Sequence, residues 1–173
     1  KGVFKINNSE IIWESEEVCD IPTNSGAGGR IVFYQDNYFI STGYFSETIY
    51  EDFERGMHPF PQSPSSSFGK VIKIDRSKQN ISSIYTLGHR VPEGLFVSND
   101  KKQLFLTEHG PKGGDEINVL LEDNNYGWPC KTKGLMYGYP ELYPVRWPED
   151  LTVLGCKKNN FIEPLFTWTP SIA

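Results

Sequence analysis

Apolar residues in this chain recur at every second position in short runs, and Asn, Asp, Gly and Ser separate the runs. An alternation of period two puts successive side chains on opposite faces of a strand, and the separators favour turns. "RIVFY" and "YFIST" flank a turn at Gln35 to Asn37, "KVIKID" and "SSIYTL" flank another, and "GLFVS" and "QLFLTE" flank a third at Asn99 to Lys102. "EINVLL" follows. Strands are expected at 31–34, 38–42, 70–75, 83–87, 95–98, 103–107 and 116–121, and "GVFKI" and "IIWES" near the start also read as strand. Few stretches carry a helical period.

The hairpins echo one another. Gly29 to Thr42 aligns without gaps on Gly94 to Thr107, at an offset of 65 residues, with Ile31-Val32 on Phe96-Val97 and Phe39-Ile40 on Leu104-Phe105. Repeated antiparallel units predict an all-β propeller, whose blades take roughly 40–50 residues each. The acidic, then Pro/Ser-rich stretch from Tyr44 to Phe68 enlarges one blade to the observed offset. After Trp128 the prolines make a regular helix or central strand unfavourable.

Composition narrows the function classes. The 173 residues suffice for one domain with a sizeable core. A formal net charge of −5 argues against a nucleic-acid partner, which would favour a basic stripe. The chain has no apolar run of about 18 residues, so no membrane span is expected. The opening lacks a charged-then-apolar leader and already reads as strand, as in a chain that starts mid-protein. Cys130 and Cys156 flank a loop and can pair, leaving Cys19 over; three unpaired thiols are the equal alternative. Asn7 and Asn80 begin glycosylation triplets of a kind common by chance.

Residues 107–129, "TEHGPKGGDEINVLLEDNNYGWP", concentrate candidate chemistry. Glycines, a proline and carboxylates are packed between two apolar runs, and an aromatic Tyr-Gly-Trp-Pro closes the stretch. Glycine permits a close backbone approach to a ligand, and carbonyl and carboxylate oxygens suit calcium. Read alone, Asp115 and Glu116 fit a solvated turn.

"GGRIVF", "YTLGHRVPEGL", "TEHGPKGGDEINVL", "NNYGWP" and "PLFTWTPSIA" occur in this order. In these motifs, from about Gly28 to Ala173, the chain resembles the soluble sugar dehydrogenases that use pyrroloquinoline quinone (PQQ), the aldose sugar dehydrogenase and glucose/sorbosone dehydrogenase family. The resemblance implies a six-bladed propeller, of which residues 1–173 supply about three consecutive four-stranded blades and lack both flanks. It implies PQQ and calcium as cofactors, a sugar substrate oxidised by hydride transfer from its C1 hydroxyl carbon to the quinone, room for an electron-acceptor protein, and a periplasmic or secreted location.

The resemblance also assigns residues. Arg90 contacts the quinone and polarises the carbonyl that receives the hydride. Val91, Gly110, Pro111 and Lys112 complete the expected cofactor contacts. The carbonyls of Gly110 and Pro111 bind one calcium, and Glu116 with the Tyr126 carbonyl binds a second. A structural role is expected for His89, and cofactor packing for His109. The pattern breaks at the base. A His-x-x-Gly-Arg motif would place histidine four residues before Arg30, where this chain has Gly26. His58, in the long loop, is a weak substitute. Val91 and Glu93 replace the expected Asn and Gln, and Thr-Gly-Asp has become Thr42-Gly43-Tyr44. Two readings therefore stand: a sugar dehydrogenase with an altered base position, or a non-catalytic calcium-binding propeller that binds carbohydrate or a protein partner.

Overall fold

In a computed structural model, the structure describes residues 8–15, 26–44, 60–78, 81–100, 102–111, 113–134 and 160–169. Two sheets are built from these residues. The first is a meander of β1 (Gly28–Tyr34), β2 (Asn37–Thr42), β3 (Lys70–Asp75) and β4 (Ile81–Leu87), each antiparallel to the next. The second runs β5 (Val91–Ser98), β6 (Gln103–His109), β7 (Asp115–Leu120) and, at its edge, β9 (Phe166–Trp168), again antiparallel. Between β7 and β9 the chain returns to the first sheet. There β8 (Asn124–Asn125) pairs parallel with Thr86 and Leu87 of β4, making that sheet five-stranded.

All seven expected strands form. The repeat holds at the level of register: Ile31 pairs with Ile40 and Val32 with Phe39, while Phe96 pairs with Phe105 and Val97 with Leu104. The first hairpin turns on Gln35 and Asp36, both at positive φ (48° and 60°), which matches the right-handed twist of the flanking strands. "IIWES" is a correction. Residues 11–15 form no strand, and Ile11 is 78% exposed, because the segment pairs with no sheet edge among the described residues. "GVFKI" lies outside the described residues.

The sheets pack face to face. Phe39 and Val71 of the first meet Leu95, Leu104, Leu106 and Leu120 of the second, and Tyr126 joins them. Burying each such side chain contributes about 1.5–3 kcal/mol. The opposite faces are apolar and partly open: Ile31 and Phe33 are half-exposed on one sheet, where Ile72 and Ile74 are buried, and Phe96, Phe166 and Trp168 are half-exposed on the other. Two meanders that share one seam and expose an apolar row outward are the arrangement of adjacent blades in part of a propeller. Among the described residues the helical pieces are single 3-10 turns at Phe60–Gln62 and Arg76–Lys78.

Because the strands alternate in direction, every second connection falls at the same end. The segment before β1, the exit from β2, the β4–β5 link, the β6–β7 turn and the segment after β8 therefore gather at one pole. Gly26, Gly43, Arg90, Gly110, Pro111, Glu116 and Tyr126 all lie there.

Candidate functional site

Arg90 is fixed from three directions. Its backbone N–H donates to Glu108 Oε2 at 2.7 Å, and its Nη1 donates to the carbonyls of Gly110 (2.7 Å) and His109 (3.1 Å). The guanidinium carbon lies 5.2 Å from the centre of the Trp128 ring, within cation–π range. Its carbonyl accepts from the N–H of Tyr44 at 2.8 Å, which ties the exit of β2 to the same point. Tyr44 in turn meets Trp128 edge to face, with ring centres 6.4 Å apart.

The turn after β6 has no room for a side chain at Gly110 or Gly114. A Cβ on Gly110 would fall 2.2 Å from the carbonyl oxygen of Gly114, and Gly113 and Gly114 take φ of 80° and 78°. The turn needs glycine for its backbone, and Asp115 braces it by accepting the Gly110 N–H at 3.0 Å. Val91 opens β5 and pairs with His109, so it borders the turn. Lys112 lies outside the described residues, as does His58.

Beneath the turn is a buried polar cluster. Glu108 Oε1 lies 3.0 Å from His89 Nδ1 and accepts from Asn118 Nδ2 at 2.9 Å. His89 is fully buried, meets Thr86 Oγ1 at 2.9 Å through Nε2, and stacks on Tyr126 with ring centres 4.8 Å apart. Both ring nitrogens are thus engaged and the ring has no exposed surface. Burial, and secondarily the Glu108 charge, push the Glu116 carboxyl up to about 7; the Asn118 hydrogen bond opposes them. Tyr126 is held by its hydroxyl, which donates to Val119 O at 2.6 Å and accepts from Leu121 N at 2.9 Å, and burial raises that phenol to about 12.

A cavity of about 20 Å³, the size of one water or one ion, opens among Glu108, Gly110, Pro111, Glu116, Tyr126 and Trp128. The residues expected around two calcium ions, Gly110 with Pro111 and Glu116 with Tyr126, thus line one cavity with room for a single ion. Glu116 is a desolvated carboxyl beside Glu108, a pairing that a divalent cation would offset, although Arg90 and Lys131 also line the cavity. Asn118 Oδ1, buried beside the same carboxylates, has no hydrogen-bond partner. These residues fit a hard cation on the Glu116 side. The fit is poorer at Gly110, whose carbonyl already carries the Arg90 guanidinium. Among the described residues no group of three or more His, Cys, Asp and Glu is placed to hold a metal. For an anionic quinone, the pole offers Arg90 beside an indole and, at the start of β1, Arg30, whose Nε donates to Glu93 O at 3.0 Å.

No base occupies the expected position. Gly26 sits at φ 82° against Gly43, and His109 is exposed at the rim, 3.5 Å from Asp115. Sequence reading missed Glu108, Asn118 and Trp128 as parts of the site. The signal for Glu108 was its place in line with the buried Leu104 and Leu106 on β6: an acid in an apolar row requires partners. Cys130 is disulfide-bonded, which removes the alternative of three free thiols; Cys19 and Cys156 both lie outside the described residues.

Comparison with known proteins places the chain among relatives. An aldose sugar dehydrogenase of Escherichia coli K12, YliI, is 31% identical over 166 residues, which are 88% of this chain and 40% of that protein. Quinoprotein glucose dehydrogenase B of Acinetobacter calcoaceticus is 54% identical over 72 residues, which are 35% of this chain and 15% of that protein. The crystal structure of the soluble aldose sugar dehydrogenase from Escherichia coli in its apo-form superposes with a TM-score of 0.62 at 27% identity, covering 83% of this chain and 40% of that one. The chain thus spans well under half of each of these relatives. The profile of the Glucose / Sorbosone dehydrogenase family matches residues 3–173, and the chain belongs to that family.

Proposed function

We propose that this chain contributes the Arg90 pole of a PQQ-dependent sugar dehydrogenase. The observation that carries this reading is the fixed guanidinium, held by two carbonyls and an indole at the pole where the family motifs converge. A cation held in one geometry stabilises negative charge as it develops, without reorganisation. Arg90 binds and orients the quinone, with Val91, Gly110, Pro111 and Lys112 around it. When bound, the quinone would supply the hydride acceptor for oxidation of the sugar carbon. Glu116 with the Tyr126 carbonyl holds one calcium, and the carbonyls of Gly110 and Pro111 hold a second beside the quinone. The names of two relatives, an aldose sugar dehydrogenase and a quinoprotein glucose dehydrogenase, support the substrate class and the cofactor. The Cys130 disulfide supports an oxidising, periplasmic or secreted location.

Proton removal is the weak step of this site. His89 is sealed, and Gly26 carries no side chain. General-base catalysis typically contributes about 10²–10⁴-fold, so the protein should bind quinone yet oxidise aldoses slowly. That deficit favours a second reading, a calcium-binding propeller that recognises carbohydrate or a protein partner without turnover. Quinone titration and dye reduction with aldoses, in the full-length protein loaded with quinone and calcium, separate the two. Quinone binding weakened by Arg90→Ala supports the dehydrogenase. Calcium binding with neither quinone affinity nor dye reduction supports the second reading.

A further inference from the structure

Glu108 is the hub of this pole. It lies near the end of β6 on the row that buries Leu104 and Leu106, and is 7% exposed. Its two oxygens grip consecutive residues: Oε1 meets the His89 ring at 3.0 Å, and Oε2 accepts the Arg90 backbone N–H at 2.7 Å. Asn118 Nδ2, from β7, steadies the carboxylate at 2.9 Å. Through His89 the contact continues to Thr86 on β4, so the carboxylate spans the seam between the sheets. Thr86, His89 and Glu108 have the order of a hydroxyl–imidazole–carboxylate relay. Thr86 is 1% exposed and His89 fully buried, however, so no substrate reaches them and the chain of contacts acts mechanically.

We propose that Glu108 is the positioning residue for Arg90: it clamps the 89–90 backbone so that the guanidinium is delivered to the Gly110 and His109 carbonyls in one orientation. The proposal rests on the reading of Arg90 as a quinone-binding group. A carboxylate is required because it offers two oxygens and no donor. Glutamine keeps one oxygen. If that oxygen serves His89 and Asn118, the NH₂ opposes the Arg90 N–H, donor against donor. The reverse orientation would set the NH₂ against both Asn118 Nδ2 and the His89 ring, two contacts instead of one, so the first orientation is favoured and the Arg90 side of the clamp opens.

The test uses Glu108→Gln in the full-length protein, alone and in an Arg90→Ala background, read by quinone titration and by hydrogen exchange of the Arg90 backbone amide without quinone. Glu108→Gln should weaken quinone binding about 10-fold or more alone and less than about 2-fold when Arg90 is already alanine, because coupled residues are non-additive. The Arg90 amide should exchange about 10-fold faster, since its acceptor is lost. An equal loss of affinity in both backgrounds would mean general loosening and would overturn the proposal, as would unchanged exchange at Arg90. Glu108→Asp, which keeps the charge but withdraws it by one methylene, provides the same exchange readout if the glutamine variant fails to fold. A wild-type protein without quinone affinity would remove the functional reading of Arg90, while exchange would still decide the clamp.

Discussion

The hairpins β1–β2 and β5–β6 are one unit built twice, and they part company after Thr42 and Thr107. Up to those threonines the central pairs correspond residue for residue. Beyond them the first hairpin continues Gly43-Tyr44 and the second Glu108-His109. The first closes backbone on backbone: Gly43 donates its N–H to Ala27 O at 2.8 Å, and a Cβ on Gly43 would fall 1.4 Å from the Gly26 carbonyl oxygen. The second closes through a side chain, with the Glu108 carboxylate reaching across the seam. The same register thus supports two terminations. One supplies close packing; the other supplies the polar hub on which the Arg90 pole is built.

The most severe way to break this contrast is Glu108→Ala. It leaves His89, the Arg90 N–H and the Asn118 amide facing a void, and should cost about 3–5 kcal/mol in denaturant unfolding. A loss below about 1 kcal/mol would mean that the hub does not hold the second termination together. Gly43→Ala tests the other side. Its methyl collides with backbone rather than with a flexible side chain, so the 26–28 segment must move, at a cost of about 3 kcal/mol. A neutral Gly43→Ala would show that the first termination is not closed backbone on backbone.

How far sequence alone reaches differs between these features. Alternation and turn residues locate the strands, and the echo locates the equivalent hairpins, because local pattern fixes both. β8 was not legible: two asparagines have no period, and their parallel pairing with Thr86 and Leu87 is set by the return of a distant segment. β9 lies within the quoted "PLFTWTPSIA", but at three residues it is too short to alternate convincingly. The motifs brought Arg90, Gly110, Pro111, Glu116 and Tyr126 to attention, and strand direction explains why they meet at one pole. Glu108 was read as part of a turn that supplies carbonyls. Its partners in the β4–β5 link and on β7 are tertiary, and no local pattern contains them.

Glu116 sharpens the contrast through pH. Its carboxyl is pushed from an ordinary 4.5 to about 7 by burial and by Glu108, a neighbour that the first hairpin lacks. Below about pH 4.5 the group is protonated in both the folded and unfolded states. Between 4.5 and 7 the folded protein keeps a proton that the unfolded chain has released. Stability therefore falls as pH rises through this window, by roughly 2–3 kcal/mol without calcium. Calcium bound at Glu116 should flatten the fall and raise the melting temperature, and Glu116→Ala should remove much of both effects. Thermal unfolding at pH 5 and pH 7, with calcium and with chelator, checks this. A fall of equal size with saturating calcium would count against the Glu116 site.

The smallest effect is expected at Gly26, where the resemblance of the motifs implies a base. Gly26 has φ 82°, a left-handed conformation that a residue with a Cβ adopts at a cost of about 1–2 kcal/mol. Its carbonyl packs against Gly43, so the conformation is part of the first termination and not free to relax. Val91, the residue at the corresponding place before the second hairpin, pairs as ordinary strand with His109. A histidine grafted at Gly26 therefore lands on backbone shaped for glycine and is not presented as a histidine on unstrained backbone would be. Gly26→His should lower stability by about 1 kcal/mol and leave aldose turnover unchanged in the full-length protein, whereas a well-placed base would raise it about 10²–10⁴-fold. Gly26→Asn, which tolerates the left-handed region better, should be milder than Gly26→Ala. A rise of 100-fold or more in Gly26→His would show that the segment re-forms around a base, and that its close packing on Gly43 is incidental to the fold.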